Sequence, residues 1–222
     1  MKLTIRTITL ALASSLLLAA CKKDNAVQYP WAINFNDGTK QYQFVGNSNK
    51  EVRYGDRAVF EASVGYGRLP NGQLVSFTVS SGFDTYNGNP EKMGLGIRLL
   101  NWDTAFLRRI DPANTSNTSA TRIATLQQWL TNRTFRLSPT TNELSVYYKD
   151  VLGEEWVEDF NSTGQATVTD ISPYILLGYS QSLRANIQFT INLVRYSNTA
   201  PYTILGRKTI NGNLAGFFTL DQ

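Results

Sequence analysis

The segment from residue 143 to residue 170 concentrates acidic side chains. It contains one basic residue, Lys149, and seven acids: Glu143, Asp150, Glu154, Glu155, Glu158, Asp159 and Asp170. Carboxylates in such number could supply the acid–base pair of a glycoside hydrolase or the oxygen ligands of a cation. The alternative is a solvated hairpin that faces a basic neighbour, since residues 98–136 contain six arginines and only two acids.

Strand geometry limits what these carboxylates can do as a pair. If residues 154–160 form a strand, Glu154 and Glu158 share one face about 13 Å apart, and Glu155 and Asp159 share the other. Glycoside hydrolysis needs carboxyl groups about 5–9.5 Å apart. A catalytic pair would therefore need a second acid from a neighbouring strand, and no catalytic residue is assigned. No Asp-x-Asp-x-Asp run occurs, so no metal site is predicted either.

The sequence lacks other common catalytic motifs. The 222 residues include no histidine and one cysteine, which excludes a Ser-His-Asp triad, a Cys-His pair, imidazole zinc sites and an internal disulfide. No Ser-x-x-Lys pattern follows residue 20, no Gly-x-Ser-x-Gly elbow is present, and Gly65-Tyr66-Gly67 lacks the third glycine of a phosphate cradle. The chain is more consistent with a binding or structural protein than with an enzyme, and no cofactor is predicted.

Aromatic residues, 12% of the chain, provide the sharpest non-enzymatic hypothesis. Exposed aromatic planes stack on the C–H faces of sugar rings, so aromatic side chains on a solvent-facing strand surface could bind a glycan. The candidate ligand-binding residues are Trp156, Trp102, Tyr147, Tyr148 and Glu155. Aromatic side chains also favour strands because they pack well on a pleated surface, and burial in the core is the competing interpretation.

The first 21 residues are typical of an export signal. Positive charges at Lys2 and Arg6 precede an apolar stretch of 13 residues, 8–20, which is shorter than the roughly 20 residues of a spanning helix. Leu18-Ala19-Ala20-Cys21 resembles a bacterial lipobox, which implies cleavage after residue 20 and lipidation of Cys21. Residues 21–27 would then be a lipidated tether that anchors the mature protein to a membrane without crossing it.

Removal of the signal would leave a nearly neutral protein. The full chain has 21 basic and 17 acidic residues, a net charge of +4. Without Lys2 and Arg6 the balance is 19 to 17, or +2. Binding to nucleic acid requires a basic stripe, so no nucleic-acid partner is predicted.

From residue 28 onward, hydrophobic residues recur at every second position. The clearest strand runs from Ala185 to Val194, and similar runs occur at residues 58–64, 75–79 and 93–101. Turn residues separate the runs at positions 37–38, 70–72, 87–90 and 211–212. Residues 119–130 have helical spacing, with Thr118 or Ser119 as a cap. We therefore expect an all-β fold, an antiparallel β-sandwich with one short helix.

Residues 111–121 are polar and of low complexity, which predicts an exposed loop or a linker. A linker there would divide the chain into two small domains. A single domain over residues 28–222 is the preferred interpretation, because the chain continues with a helix and then with strands that need partners.

Residues 143–220 contain a hairpin, with an Asp-x-x-Gly turn at 150–153, followed by further strand patterns up to residue 218. This order on a lipobox chain resembles the C-terminal half of Bacteroidota envelope lipoproteins with β-sandwich folds, and Cys21-Lys22-Lys23-Asp24-Asn25 resembles their surface-export tag. The resemblance implies an outer-membrane lipoprotein exposed on the cell surface, without catalytic residues. Three functions fit: a non-enzymatic module that binds polysaccharide or supports structure, a lectin-like glycoside hydrolase, or an accessory subunit that binds an envelope protein.

Overall fold

Antiparallel strands form most of the computed structural model, which describes residues 31–46, 53–55, 58–85, 93–174 and 182–220. The strands are β1 (Trp31–Asn36), β2 (Gln41–Gly46), β3 (Arg53–Gly55), β4 (Ala58–Arg68), β5 (Leu74–Thr85), β6 (Gly94–Asn101), β7 (Thr134–Ser138), β8 (Thr141–Asn142), β9 (Leu144–Lys149), β10 (Glu155–Glu158), β11 (Gly164–Tyr174), β12 (Ser182–Tyr196) and β13 (Ile204–Thr219). The helices are α1 (Thr104–Ile110) and α2 (Ser119–Leu130). The predicted all-β class is confirmed.

The strands pair into one sheet that folds over on itself. Its order is β2-β1-β13-β12-β10-β9-β6-β5-β4-β3, and β12 also pairs with β11, which continues to β7 and β8. Strand β13 lies against both β4 and β5, so the two parts of the sheet form opposite layers of a sandwich-like fold. The layers approach closely at Gly216, where a Cβ atom would overlap Ser81 Oγ.

The core lies between these two layers. Buried residues alternate with more exposed ones from Ala185 to Leu193 of β12, as the sequence predicts, and include Ile187, Phe189, Ile191 and Leu193. Aromatic side chains from both layers meet inside: the ring centroid of Trp31 lies 5.6 Å from that of Phe60 and 4.6 Å from that of Phe217. Buried hydrophobic side chains from the two layers and the helices belong to one cluster.

Two helices connect β6 to β7, whereas the sequence pattern predicts one. Helix α2 has the predicted bounds, and the Thr118 hydroxyl caps it by accepting from the Thr121 N–H at 3.1 Å. Helix α1 was missed because it has only 7 residues and buries just Leu107 and Ile110, which is too little for a helical period to appear. The segment between the helices is a mostly exposed loop.

Three of the four predicted turns fall on described residues, and one of them is wrong. Gly38 and Gly72 have positive φ angles of 89° and 86° in the turns after β1 and β4. Asn211 and Gly212, in contrast, lie in the middle of β13. Glycine is needed there because a Cβ atom at Gly212 would overlap the Asn34 carbonyl oxygen of β1. The expected turn at 87–90 lies outside the described residues.

The expected signal peptide, the tether at 21–27 and the lipidation site Cys21 also lie outside the described residues. In the part of the chain that is described, neither helix is long and apolar enough to span a bilayer.

Candidate functional site

Four of the five candidate ligand-binding residues belong to the β9–β10 hairpin, and they face in two directions. Tyr147 and Glu155 are exposed, whereas Tyr148 and Trp156 are buried. Successive side chains of a strand point to opposite faces, so each exposed residue has a buried neighbour. The expectation that Tyr148 and Trp156 lie on a solvent-facing surface is therefore wrong. The fifth candidate, Trp102, is 47% exposed and directly follows β6.

Tyr148 and Trp156 help to enclose a buried ion cluster formed by Asp37, Asp150 and Lys208. Lys208 Nζ lies 3.7 Å from Asp37 Oδ2 and 3.5 Å from Asp150 Oδ2. The Tyr148 hydroxyl donates to Asp37 at 3.0 Å, and the Trp156 indole N–H donates to Asp150 at 2.8 Å. The buried charges thus have counter-ions, and both carboxylates are hydrogen-bonded, as burial requires.

Hydrogen bonds keep Asp37 ionised in this cluster. Burial acts to raise the pKa of Asp37, but donation from the hydroxyl and N–H of Thr39, from the Lys40 N–H and from the Tyr148 hydroxyl holds that pKa below its ordinary value. Burial, together with the charge of Asp37, raises the pKa of Tyr148. At neutral pH Asp37 is therefore an ionised acceptor and Tyr148 a protonated donor. The cluster links the turn after β1 to the turn after β9 and to β13.

The opposite, outer face of this hairpin lines a groove that crosses five strands. One row of aligned residues runs over β4, β5, β6, β9 and β10 and consists of Glu61, Gly82, Gly96, Tyr147 and Val157. The adjacent row consists of Ser63, Ser80, Arg98 and Ser145. These residues, with Phe160 and Glu158, enclose about 600 Å³, and we refer to this feature as the groove.

Small residues form the floor of the groove and larger ones form its wall. A Cβ atom at Gly96 would meet nothing within 4 Å, so the missing side chain leaves open space. The hydroxyls of Ser63 and Ser80 are hydrogen-bonded to each other at 2.5 Å on this floor. The wall includes exposed apolar side chains at Tyr147 (44%), Val157 (40%) and Phe160 (48%). Hydroxyls beside aromatic planes suit a polyhydroxylated ring.

Charges of both signs border the groove. Glu61 and Arg98 are exposed, and neither forms an ion pair with another residue in the described ranges. Burial, followed by the negative charges of Glu155 and Asp84, raises the pKa of Tyr147. The Tyr147 hydroxyl is therefore a protonated donor at neutral pH.

Two carboxylates, Glu61 and Glu158, line the groove, but they stand on distant strands. From β4 to β10 there are four strand spacings, or about 19 Å along the sheet, against the 5–9.5 Å that glycoside hydrolysis needs. Glu158 Oε2 is also engaged, since it accepts from the Val146 N–H at 3.3 Å. Glu61 and Glu158 are therefore not placed as the close carboxylate pair that glycoside hydrolysis uses.

Acids elsewhere in segment 143–170 take part in structural contacts. Ion pairs join Glu143 to Arg133 at 2.8 Å, Glu154 to Arg195, and Asp159 to Arg207 at 3.2 Å. Among the residues whose placement is described, no group of three or more acidic, cysteine or histidine side chains could hold a metal ion. Of these partners only Arg133 belongs to the basic segment 98–136, whereas Arg195 and Arg207 belong to β12 and β13. The acids thus face basic residues, but mostly not those that the sequence alternative named.

Most of the groove, including Arg98, Phe160 and the serine floor, was not predicted from the sequence. One signal was present: Phe60, Ala62 and Val64 alternate as core residues, which places Glu61 and Ser63 on the outer face. That these residues meet Arg98 and Tyr147 depends on pairing between strands distant in sequence. Comparison with protein-family models, with curated proteins and with solved structures finds no match for the chain.

Proposed function

We propose that this protein is a non-enzymatic binding module that holds a polysaccharide in the groove and is anchored to the outer membrane through a lipid on Cys21. The observation that carries the proposal is the combination, in one open groove, of exposed Tyr147 and Phe160 with a floor of serine hydroxyls. Aromatic faces and hydroxyl groups together match the two chemical surfaces of a sugar ring.

The groove predicts a large effect of Tyr147→Ala on binding. Loss of the aromatic plane is expected to weaken polysaccharide affinity about tenfold, or ~1.4 kcal/mol. The measurement is retardation of the full chain, purified in detergent, on native gels containing galactomannan, xyloglucan or polygalacturonate. Because Tyr147 is exposed, the midpoint of thermal unfolding should change little.

Tyr202→Ala is the matched control, since Tyr202 is an exposed tyrosine (72%) outside the groove. It should leave retardation unchanged. Equal loss in both variants, or no retardation of the unmodified protein by any of the three polymers, would contradict groove binding. Release of reducing sugar that disappears in Glu158→Gln would instead support the glycoside hydrolase alternative.

The lipid anchor predicts that Cys21→Ala abolishes both acylation and membrane attachment. Cys21 lies 10 residues before Trp31, where β1 begins, and a fully extended chain of that length spans about 33 Å. The measurement is incorporation of labelled fatty acid together with the fraction of protein that sediments with membranes. Ser15→Ala, in the same leader, should retain both. Membrane attachment that persists in Cys21→Ala would refute the anchor.

A further inference from the structure

The outer face of the other layer carries an array of uncharged amide and hydroxyl side chains. One row across β11, β12, β13, β1 and β2 consists of Thr167, Gln188, Asn213, Asn34 and Gln43. The next row, on the same five strands, consists of Gln165, Thr190, Asn211, Asn36 and Gln41. We call these ten residues the amide face. None of them is charged, although five adjacent strands contribute.

Much of the hydrogen-bonding capacity of the amide face is unused within the fold. Gln188, Asn211 and Asn213 are exposed, and their side chains make no hydrogen bond to other residues in the described ranges. Each primary amide offers two donor hydrogens and one acceptor oxygen. Elsewhere on this face, Gln41 Nε2 donates to Asn34 Oδ1, so part of the array is held in place by its own contacts.

The amide face is not flat. Two shallow depressions of about 250 and about 340 Å³ lie on it, and both are lined by Gln188 and Asn213. The depressions therefore meet at the centre of the first row. Five strands span four spacings of about 4.8 Å, or about 19 Å, which is long enough for several sugar rings.

The amide face and the groove point in opposite directions. The inner surfaces of β13 and β5 are packed against each other, as the close approach of Gly216 and Ser81 shows. Their outer surfaces are consequently the two external sides of the sandwich. A ligand on the amide face would not compete with one in the groove.

We propose that the amide face is a second binding surface, which takes a neutral polysaccharide chain lying across the strands. Donors and acceptors of the two rows match sugar hydroxyls, each of which donates and accepts. The two rows contain no cation for an anionic polymer. Beyond them, Arg136 of β7 pairs with Gln165, and one depression is also lined by Asp170, Ala32 and Ala215, a single acid and two small apolar side chains that provide no large patch for a protein partner. This site goes beyond the groove and does not depend on it.

The test measures gel retardation of the full chain in detergent. All variants carry Tyr147→Ala, so that the groove contributes little to polysaccharide binding. Retardation by galactomannan or dextran should be weakened in this background but remain measurable, because the amide face is unchanged. Adding Gln188→Ala and Asn213→Ala should weaken it about tenfold, ~1.4 kcal/mol, and should not change any response to polygalacturonate. Gln128→Ala, an exposed amide on α2, is the matched control and should have no effect.

Asn213→Asp gives a second variant of nearly the same shape, in case the double alanine variant does not fold. A neutral ligand that covers the carboxylate introduced by Asn213→Asp would remove its water without supplying a counter-ion, so retardation should again fall.

Neutral-polymer binding that vanishes in Tyr147→Ala alone, or that survives all amide-face variants, would overturn the proposal while leaving the groove in place. Light scattering that shows a dimer lost in these variants, without a change in retardation, would assign the face to self-association instead. Loss of binding only in the amide-face variants would refute the groove and support this second site.

Discussion

Replacing Trp156 by alanine is expected to lower the free energy of unfolding by about 4 kcal/mol, while the folded protein keeps its affinity for polysaccharide. Trp156 is 7% exposed, its indole N–H donates to Asp150, and Lys208 Nζ lies 4.1 Å from its ring centroid. The substitution removes the largest side chain of β10 and leaves a cavity beside a buried charge. Urea denaturation followed by circular dichroism measures the loss.

Trp102→Ala is the matched control, since Trp102 is the same residue type at 47% exposure. Its loss of stability should stay within about 1 kcal/mol. Retardation by polysaccharide, measured well below the unfolding transition, should be the same for both variants and the unmodified chain. A Trp156→Ala variant that is fully stable but no longer binds would restore the interpretation of Trp156 as a ligand contact.

Asp150→Ala is expected to lower the free energy of unfolding by about 3 kcal/mol. The Asp150 carboxylate accepts from the N–H groups of Leu152 and Glu154, both at 3.0 Å, and from the Trp156 indole at 2.8 Å. It also lies 3.5 Å from Lys208 Nζ. Its removal therefore leaves a buried indole N–H without an acceptor and opens the β9–β10 turn. Thermal and urea unfolding both measure the effect.

Asp84→Ala provides the comparison for Asp150, because Asp84 is an exposed acid near the end of β5 in the same sheet. Its effect should lie within about 0.5 kcal/mol. Asp150→Asn retains an acceptor for the turn but loses the charge that faces Lys208, so its stability should be intermediate. If Asp150→Ala were no more destabilising than Asp84→Ala, the buried ion cluster would not stabilise the fold.

Local signals in the sequence were enough to locate most elements. Alternation identified β12 because its core residues recur at every second position, and helical spacing over residues 119–130, with Thr118 or Ser119 as the cap, located α2. Helix α1 was missed since seven residues with two buried side chains give no recognisable period. Gly212 was misread as a turn residue. Glycine is needed at this position because a Cβ atom would overlap the neighbouring strand β1, and nothing in the nearby sequence indicates that β1 lies there.

Candidate residues were located less well than the strands. Tyr147 and Glu155 were correctly placed on an exposed face, but their neighbours Tyr148 and Trp156 were placed there too. A shift of one residue in the strand phase reverses the direction of every side chain. The aromatic composition of a strand does not show which alternate residues face the core. The packing of Trp156 against Lys208 shows it for β10.

Residue types and their order determined the all-β class, the position of α2 and the lack of histidine-based chemistry, because these depend on composition and on neighbours a few residues away. Tertiary structure alone decided that Glu61, Arg98 and Tyr147 border one groove, and that amides from β12, β13 and β1 form one face. Those groupings arise from the register between strands that are far apart in the chain. That register is set when the hydrophobic side chains of both layers are buried against each other in one core.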